Sequence, residues 1–205
     1  MTPKTKTGKG MLGGSLLGHL AAVLTVAMWG YSFVSSKVLL DNGLGPVHVY
    51  FYRFVIAYLM LLFISHKRLW SSNWRDEGLF LVCALTSGSL YFNAENTALQ
   101  YTLTTNVSLL TSLSPLITAL LVGLVYKTEK LGIGTWFGSA VAVVGVACVV
   151  FNSSTSVEVR PFGDFLALAA AFSWAFYSML LRRLNAHYDI WFITRKTFFY
   201  GILTS

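Results

Sequence analysis

Residues 91–118 read YFNAENTALQYTLTTNVSLLTSLSPLIT, and this stretch decides how the rest of the chain is interpreted. It holds the end of one apolar run, a very short link and most of the next run. Polar groups interrupt it: the carboxylate of Glu95, three asparagines that include Asn96, a ladder of Ser and Thr, and Pro115. Burying such groups in lipid is costly unless they face a polar interior. The stretch therefore predicts two membrane helices that line a transport pathway.

The composition sets the class of protein. The 205 residues are 55% hydrophobic and 11% charged, whereas soluble domains carry roughly 25% charged residues. Together with a mean hydropathy of +0.63, this predicts an all-α membrane protein, a polytopic helix bundle. The net charge of +7 does not indicate nucleic acid, because the cations fall in short loops between apolar runs. Membrane lipid and a small-molecule substrate are the expected partners.

Seven apolar runs are close to the roughly 20 residues that cross a bilayer as a helix. The first is longer than the apolar core of a signal peptide and lacks a clear cleavage site, so we expect it to be retained. The predicted helices cover residues 16–40, 47–65, 78–100, 104–126, 131–151, 163–181 and 190 to at least 205.

The cations predict the orientation of these helices. With the N-terminus inside, ten Lys and Arg residues fall in inner segments and only Arg160 in an outer loop. Short loops that are rich in Lys and Arg are typical of the cytoplasmic side of a membrane. The N-terminus is therefore predicted to be cytoplasmic, in an integral plasma (inner) membrane protein. The inner cations are Lys4, Lys6, Lys9, Lys67, Arg68, Arg75, Lys127, Lys130, Arg182 and Arg183.

A faint internal repeat suggests the architecture. Displaced by 145 positions, Trp29 falls on Trp174 and Lys37 on Arg182. Five helices separate the starts of the two repeat units. An odd number of helices inverts the second unit in the membrane, and inverted repeats are a common plan of secondary transporters. The predicted divisions are a cytoplasmic tail (1–15), a first five-helix repeat (16–151), an external loop (152–162) and the start of a second repeat (163–205). By this logic ten helices are expected and the chain, with seven, is a C-terminally incomplete fragment.

These features resemble the EamA-type drug/metabolite transporters. The resemblance lies in WGYSFV of residues 29–34 followed by Lys37, YRF of 52–54, ENTALQYTLTTNVSLLTSLSPLITAL of 95–120, Glu129 in a short inner link, and GIGTWFGSAVAVVGV of 132–146. It implies a ten-helix fold of two inverted repeats that moves small metabolites, with export of amino acids as an expectation.

Ionisable groups inside predicted helices are candidates for function. Glu95 lies about six residues from the outer end of its helix, hence roughly 9 Å deep at 1.5 Å per residue. Arg53 lies at similar depth and Lys37 is shallower. Glu95 either binds and releases protons during transport or forms a static pair with one of these cations. Lys37 can also extend its ammonium to the outer headgroups.

Polar and aromatic stripes are further candidates for the pathway. Ser108, Thr111 and Pro115 share one helix face, and Pro115 frees the carbonyl of Thr111 and kinks the helix. These hydroxyls either line a cavity or donate back to their own helix. Aromatic rings in a cavity can stack on apolar substrates, although they also serve as packing. The aromatic candidates and their polar neighbours are Trp29, Ser32, Trp174 and Tyr177.

The remaining signals are weaker. Arg195 and Lys196 are either inner anchors or a counterpart of Arg53. The GxxxG spacing of Gly134 and Gly138 indicates close helix packing within the bundle or in a homodimer. The sequence shows no nucleophile–base pair, metal-ligand cluster or nucleotide-binding loop, so we expect neither an enzyme nor a cofactor. The competing interpretations are a non-transporting scaffold and a seven-helix retinal-type protein with Lys196 as its Schiff base.

Overall fold

The structure is a computed structural model that describes residues 9–66, 70–125, 132–151 and 160–205. Within these ranges every regular element is a helix. The predictions for residues 1–8, for the loop at 152–159, for Glu129 and for the helix ends at 126 and 131 lie outside the described residues. The α-helices are α1 (Lys9–Asp41), α2 (Pro46–Ile64), α3 (Trp74–Ala84), α4 (Tyr91–Tyr101), α5 (Thr104–Thr111), α6 (Ser114–Val125), α7 (Ile133–Phe151), α8 (Pro161–Asn185) and α9 (Ile190–Leu203).

The predicted all-α membrane bundle is confirmed. Four helical segments in the described part are long and apolar enough to cross a membrane: Leu16–Asp41, Pro46–Ile64, Thr104–Val125 and Pro161–Asn185. Their outward surfaces carry large apolar side chains, which suits contact with lipid tails. An apolar stretch of α7, Ile133–Gly145, is shorter.

The predicted third helix is interrupted by a π-helical turn, Leu85–Leu90, which joins α3 to α4. A π turn widens the helix by one residue and leaves backbone carbonyls without their usual partner. Here the Ser173 hydroxyl of α8 donates to the Thr86 carbonyl at 2.7 Å. The element also starts at Trp74, earlier than predicted, because Asp76 and Glu77 in its first turn complement the positive end of the helix dipole.

The predicted fourth helix is broken where Pro115 led us to expect a kink. It forms α5 and α6, with Ser112 and Leu113 between them. Proline cannot donate to the carbonyl of Thr111, and the Ser114 hydroxyl does so instead at 2.5 Å. The break is thus stabilised by the residue next to the proline.

Other helix ends differ from the prediction by a few residues. Helix α1 begins at Lys9 and α8 extends to Asn185, beyond the apolar runs that defined them. Backbone hydrogen bonding continues into polar flanks, whereas hydropathy marks only the part suited to lipid. Conversely, α9 ends at Leu203, whereas the helix was predicted to continue to at least Ser205.

Helix α8 is the centre of the bundle. It packs against α4 most extensively, and also against α5 and α6. Small side chains make this possible, because Ala167, Ala170, Ala171 and Ala175 are all fully buried on α8. Helix α9 packs against α2 and α3, so α8 and α9 close against the region of the predicted first repeat.

The contact between α4 and the start of α8 depends on Gly163. A Cβ at this position would lie 2.7 Å from the Thr102 Cβ and 3.0 Å from the Thr102 backbone nitrogen. The close approach lets the Thr102 hydroxyl donate to Asp164 Oδ1 at 2.8 Å, and Asn106 Nδ2 lies 3.3 Å from the same oxygen. Glycine is therefore needed here for the fit between the α4–α5 link and the start of α8.

We expect Gly163→Ala to destabilise the protein by about 1–3 kcal/mol, because the added methyl group meets a backbone atom that cannot move aside. Gly18→Ala is the matched control, since Gly18 is the repeat counterpart of Gly163 and nothing lies within 4 Å of its Cβ position. Thermal unfolding of both variants in detergent measures the difference. Equal stability of the two variants would contradict the role assigned to Gly163.

Candidate functional site

Glu95 is buried where α1, α2, α4 and α8 come together. Only 2% of the surface of this residue is exposed. Its Oε2 atom has no partner at hydrogen-bond geometry among the described residues. Glu95 interacts electrostatically with Arg53 and with the Tyr91 hydroxyl, one helical turn away. Buried carboxylates without a close partner are rare, because loss of hydration is normally compensated by an ion pair or hydrogen bonds.

Arg53 does not form a salt bridge with Glu95. Its guanidinium donates to Ser36 Oγ at 2.9 Å and to Ser32 Oγ at 2.6 Å, both on α1. It also lies 5.3 Å from the centroid of the Phe92 ring, within cation–π distance. Arg53 is thus positioned by hydroxyls and an aromatic face, with its charge directed toward the same region as Glu95.

Lys37 is engaged elsewhere, near the C-terminal end of α1. Its ammonium lies 3.0 Å from Asp41 Oδ1 and donates to the Leu99 carbonyl at 2.9 Å. Neither of the static pairs that the sequence suggested for Glu95, with Lys37 or with Arg53, is present among the described residues. Since about one third of the Lys37 side chain is exposed (32%), this residue joins α1 to α4 near the predicted outer surface.

An aromatic cluster lies beside Glu95. The ring centroid of Trp174 is 4.9 Å from Tyr91, 6.3 Å from Trp29 and 5.3 Å from Tyr177. Trp29 also interacts with the Tyr91 hydroxyl. The structure therefore brings together Trp29 and Trp174, the two tryptophans related by the sequence repeat, at the carboxylate. Tyr177 continues the cluster toward the buried side chains of α3 and α9.

A cavity of about 310 Å³ opens next to this cluster, between α1 and the broken helix. Trp29 belongs to both the cavity wall and the aromatic cluster. The lining residues are Val26, Trp29, Gly30, Phe33, Ser108, Thr111, Ser112 and Pro115. The stripe predicted from Ser108, Thr111 and Pro115 thus faces a cavity.

The hydroxyls of that stripe donate to their own helix. Ser108 donates to the Thr105 carbonyl at 2.9 Å, Thr111 to the Val107 carbonyl at 2.8 Å, and Ser112 to the Leu109 carbonyl at 2.6 Å. Such local bonding is the alternative that the sequence left open. Both descriptions hold, because a hydroxyl whose proton is used locally still offers its lone pairs. The cavity wall therefore presents apolar groups and hydrogen-bond acceptors.

Asn96 faces away from this site. It is fully buried, and its Nδ2 donates to the Pro46 carbonyl at 3.1 Å, at the start of α2. The contact satisfies a backbone carbonyl in the first turn of α2 and ties that turn to α4. Adjacent residues on a helix point about 100° apart, so the side chains of Glu95 and Asn96 point toward different neighbours.

A second polar cluster, which the sequence did not indicate, lies at the predicted inner end. Lys196 on α9 forms a 2.8 Å ion pair with Glu77 Oε2 on α3. The Tyr200 hydroxyl donates to the same carboxylate, and the Ser71 backbone nitrogen donates to Oε1 at 2.7 Å. The Lys196 ammonium also lies 4.6 Å from the Trp70 ring centroid. Both charges are largely buried, so this is an internal contact between α3 and α9.

Arg195 is buried beside this cluster and donates to the Ser65 carbonyl at the end of α2. Simple inner anchors would expose their charges to water, so Arg195 and Lys196 do not behave as anchors of that kind. The sequence did not point to Glu77 as a partner. This carboxylate lies at the boundary between a predicted inner loop and an apolar run. Sequence spacing does not indicate that it meets Lys196.

The glycines of α7 do not pack against other described parts of the protein. A Cβ at Gly134 or at Gly138 would meet no described atom within 4 Å. Close packing of this face inside the bundle, as expected from the GxxxG spacing, is therefore absent from the described part of the chain. The expectation of a homodimer stays a prediction.

The fold and site define a class: an integral membrane protein, all-helical, with a buried carboxylate, an arginine and aromatic rings at the junction of its helices. Residues 16–151 match the EamA-like transporter family. This covers well over half of the chain, and the chain belongs to that family.

The curated relatives carry transporter names. An uncharacterized transporter of Archaeoglobus fulgidus is 31% identical over 190 residues, covering 90% of this chain and 64% of the relative. A probable amino-acid metabolite efflux pump of Escherichia coli is 26% identical over 167 residues, covering 81% of this chain and 54% of the relative. The chain therefore spans between one half and two thirds of the length of these relatives. No solved structure matches it.

Proposed function

We propose that this protein is a secondary transporter of the plasma (inner) membrane that exports small metabolites such as amino acids. Its N-terminus is cytoplasmic, and transport proceeds by alternating access between two inverted repeats. The observation that supports it best is Glu95, which is buried at the helix junction with no ion pair among the described residues. A static structural carboxylate would have a close cation, whereas a group that exchanges its partner during transport need not.

The neighbours of Glu95 suit an amino acid as cargo. Arg53 is held by two serines and can offer a remaining N–H to a carboxylate. The rings of Trp29 and Trp174 can pack against an apolar side chain. The name of the Escherichia coli relative points in the same direction. Within this proposal Glu95 carries the proton that drives export.

The test is export of labelled amino acids from vesicles that contain the full-length protein. We expect efflux above that of protein-free vesicles, lost when a proton uncoupler collapses the gradient. An Asp41→Asn variant is the matched control, because it removes a carboxylate that is exposed and does not line the cavity, and it should export normally. Absence of efflux for every compound would overturn the transport proposal, and uncoupler-resistant efflux would overturn proton drive.

The alternative of a non-transporting scaffold does not explain the cavity or the burial of Glu95 without an ion pair among the described residues. The retinal-type alternative is disfavoured by a specific contact. A Schiff-base lysine needs a reactive amine beside a chromophore cavity, whereas Lys196 is held by Glu77 and packed on Trp70. We therefore retain transport as the proposal.

A further inference from the structure

Two buried oxygen atoms on one face of α4 lack hydrogen-bond partners. They are Oε2 of Glu95 and the hydroxyl oxygen of Tyr91. Neither has a partner at hydrogen-bond geometry among the described residues, and the Tyr91 hydroxyl interacts with Glu95 and with Trp29. The two residues are four positions apart, so their side chains lie one above the other. Native proteins rarely leave such acceptors unsatisfied, and a group that arrives with a ligand is one explanation.

The surroundings of this pair of oxygens are aromatic. The Trp174 ring lies 4.9 Å from the ring of Tyr91 and 6.3 Å from that of Trp29. A carboxylate backed by the faces of Trp and Tyr is the chemistry that recognises an ammonium group, through charge-assisted hydrogen bonds and cation–π contacts. An anionic group would instead meet the negative charge of Glu95, whose ionised carboxylate only accepts hydrogen bonds.

Trp29 links the cavity to this pair of oxygens through its contacts. The indole is 38% exposed, lines the 310 Å³ cavity and interacts with the Tyr91 hydroxyl. Trp29 is thus the side chain that the cavity wall and the Tyr91 hydroxyl share. The cavity wall near Trp29 is apolar, with Phe33 on α1 and Pro115 on α6.

The one described cation that interacts electrostatically with Glu95 is Arg53. Two of its nitrogens are already bonded to Ser32 and Ser36, and its guanidinium lies over Phe92. Arg53 is therefore held away from hydrogen-bond contact with Glu95, which leaves the carboxylate oxygen available to a second cation.

We propose that Glu95 and Tyr91 bind the protonated amino group of the substrate, and that the apolar body of the same molecule lies in the cavity against Trp29, Phe33 and Pro115. This rests on the proposed transport function and names its substrate class: primary amines with a flat or apolar body. The ammonium donates to Glu95 Oε2 and to the Tyr91 oxygen, with the Trp174 ring beside it. Arg53 is then free to meet a carboxylate of an amino acid.

The experiment compares two probes of nearly equal shape, 2-phenylethylamine and 2-phenylethanol, by calorimetry on the full-length protein in detergent. Wild type should bind the amine about tenfold or more tightly than the alcohol, since one charge-assisted hydrogen bond has that effect. Glu95→Gln should reduce the preference to roughly twofold or less. Asp41→Asn, the matched loss of an exposed carboxylate, should keep the full preference.

A second variant keeps the test decisive if Glu95→Gln does not fold. Tyr91→Phe retains the ring that packs against Trp174 and removes only the unpartnered hydroxyl, so it should weaken amine binding and leave alcohol binding unchanged. Equal binding of the two probes by wild type, including no binding of either, overturns the proposal. So does an amine preference that survives in Glu95→Gln.

The outcomes for the ammonium site and for transport are distinguishable. Amino-acid export by a protein that binds amine and alcohol equally would leave the transporter and remove the ammonium site. An amine preference that depends on Glu95, in a protein that exports nothing, would leave the site and remove the transporter.

Discussion

Replacement of Glu95 by Gln is expected to reduce amino-acid efflux to the level of protein-free vesicles while the protein still inserts and folds. Gln has nearly the shape of Glu, so the packing against α1, α2 and α8 is preserved. What is lost is the negative charge and the ability to bind and release a proton. No ion pair is broken, since Arg53 remains bonded to Ser32 and Ser36.

The expected change in stability is accordingly small, within about 1 kcal/mol of wild type. Efflux and thermal unfolding should be measured on the same preparations, with Asp41→Asn as the carboxylate control. Normal efflux by Glu95→Gln would remove Glu95 from the mechanism and make its role structural. A large loss of stability in this variant would indicate a contact that the structure does not show.

The pattern of the sequence was sufficient to predict an all-helical membrane bundle, because hydropathy and charge report directly on the membrane, whereas the inverted repeat stays a prediction. Each predicted run corresponds to a helix or a pair of helices, and the break before Pro115 follows from the chemistry of proline. The π turn at 85–90 could not be predicted, since LTSGSL fits an ordinary helix and the turn depends on packing against α8.

Side-chain partners were predicted less well, for identifiable reasons. The pairing of Lys37 with Asp41 can be inferred from the sequence spacing, because opposite charges four residues apart on a helix attract each other. The orientation of Asn96 toward Pro46 depends on how α4 is rotated, which a short polar stretch does not determine. The meeting of Glu77 with Lys196 is a contact between distant parts of the chain, and periodicity within one helix carries no information about it.

Lys196→Met is expected to destabilise the protein by about 3–5 kcal/mol, because it breaks a buried ion pair from one side. The side chains of Lys196 and Glu77 are only 4% and 11% exposed. Removing the ammonium leaves the Glu77 carboxylate buried with the neutral donors Tyr200 and Ser71. Neutral donors compensate part of the lost hydration, but no opposite charge remains among the described contacts of this carboxylate to balance it.

Lys37→Met provides the matched control, because Lys37 also pairs with a carboxylate but its side chain is 32% exposed and that of Asp41 is 58% exposed. An exposed pair contributes about 0–1 kcal/mol, so this variant should remain close to wild type. The double variant Glu77→Gln/Lys196→Met should recover much of the lost stability, since it leaves no buried charge of this pair uncompensated.

Unfolding of wild type, Glu77→Gln, Lys196→Met and the double variant in detergent forms a double-mutant cycle that measures the coupling between Glu77 and Lys196. A favourable coupling well above 1 kcal/mol would support a buried contact that holds α9 to α3 at the predicted inner end. Equal effects of Lys196→Met and Lys37→Met would contradict it, because the two lysines would then share one environment. A strong coupling would also mean that any opening of the bundle at this end has to break the ion pair, since Glu77 and Lys196 lie on helices that must then separate.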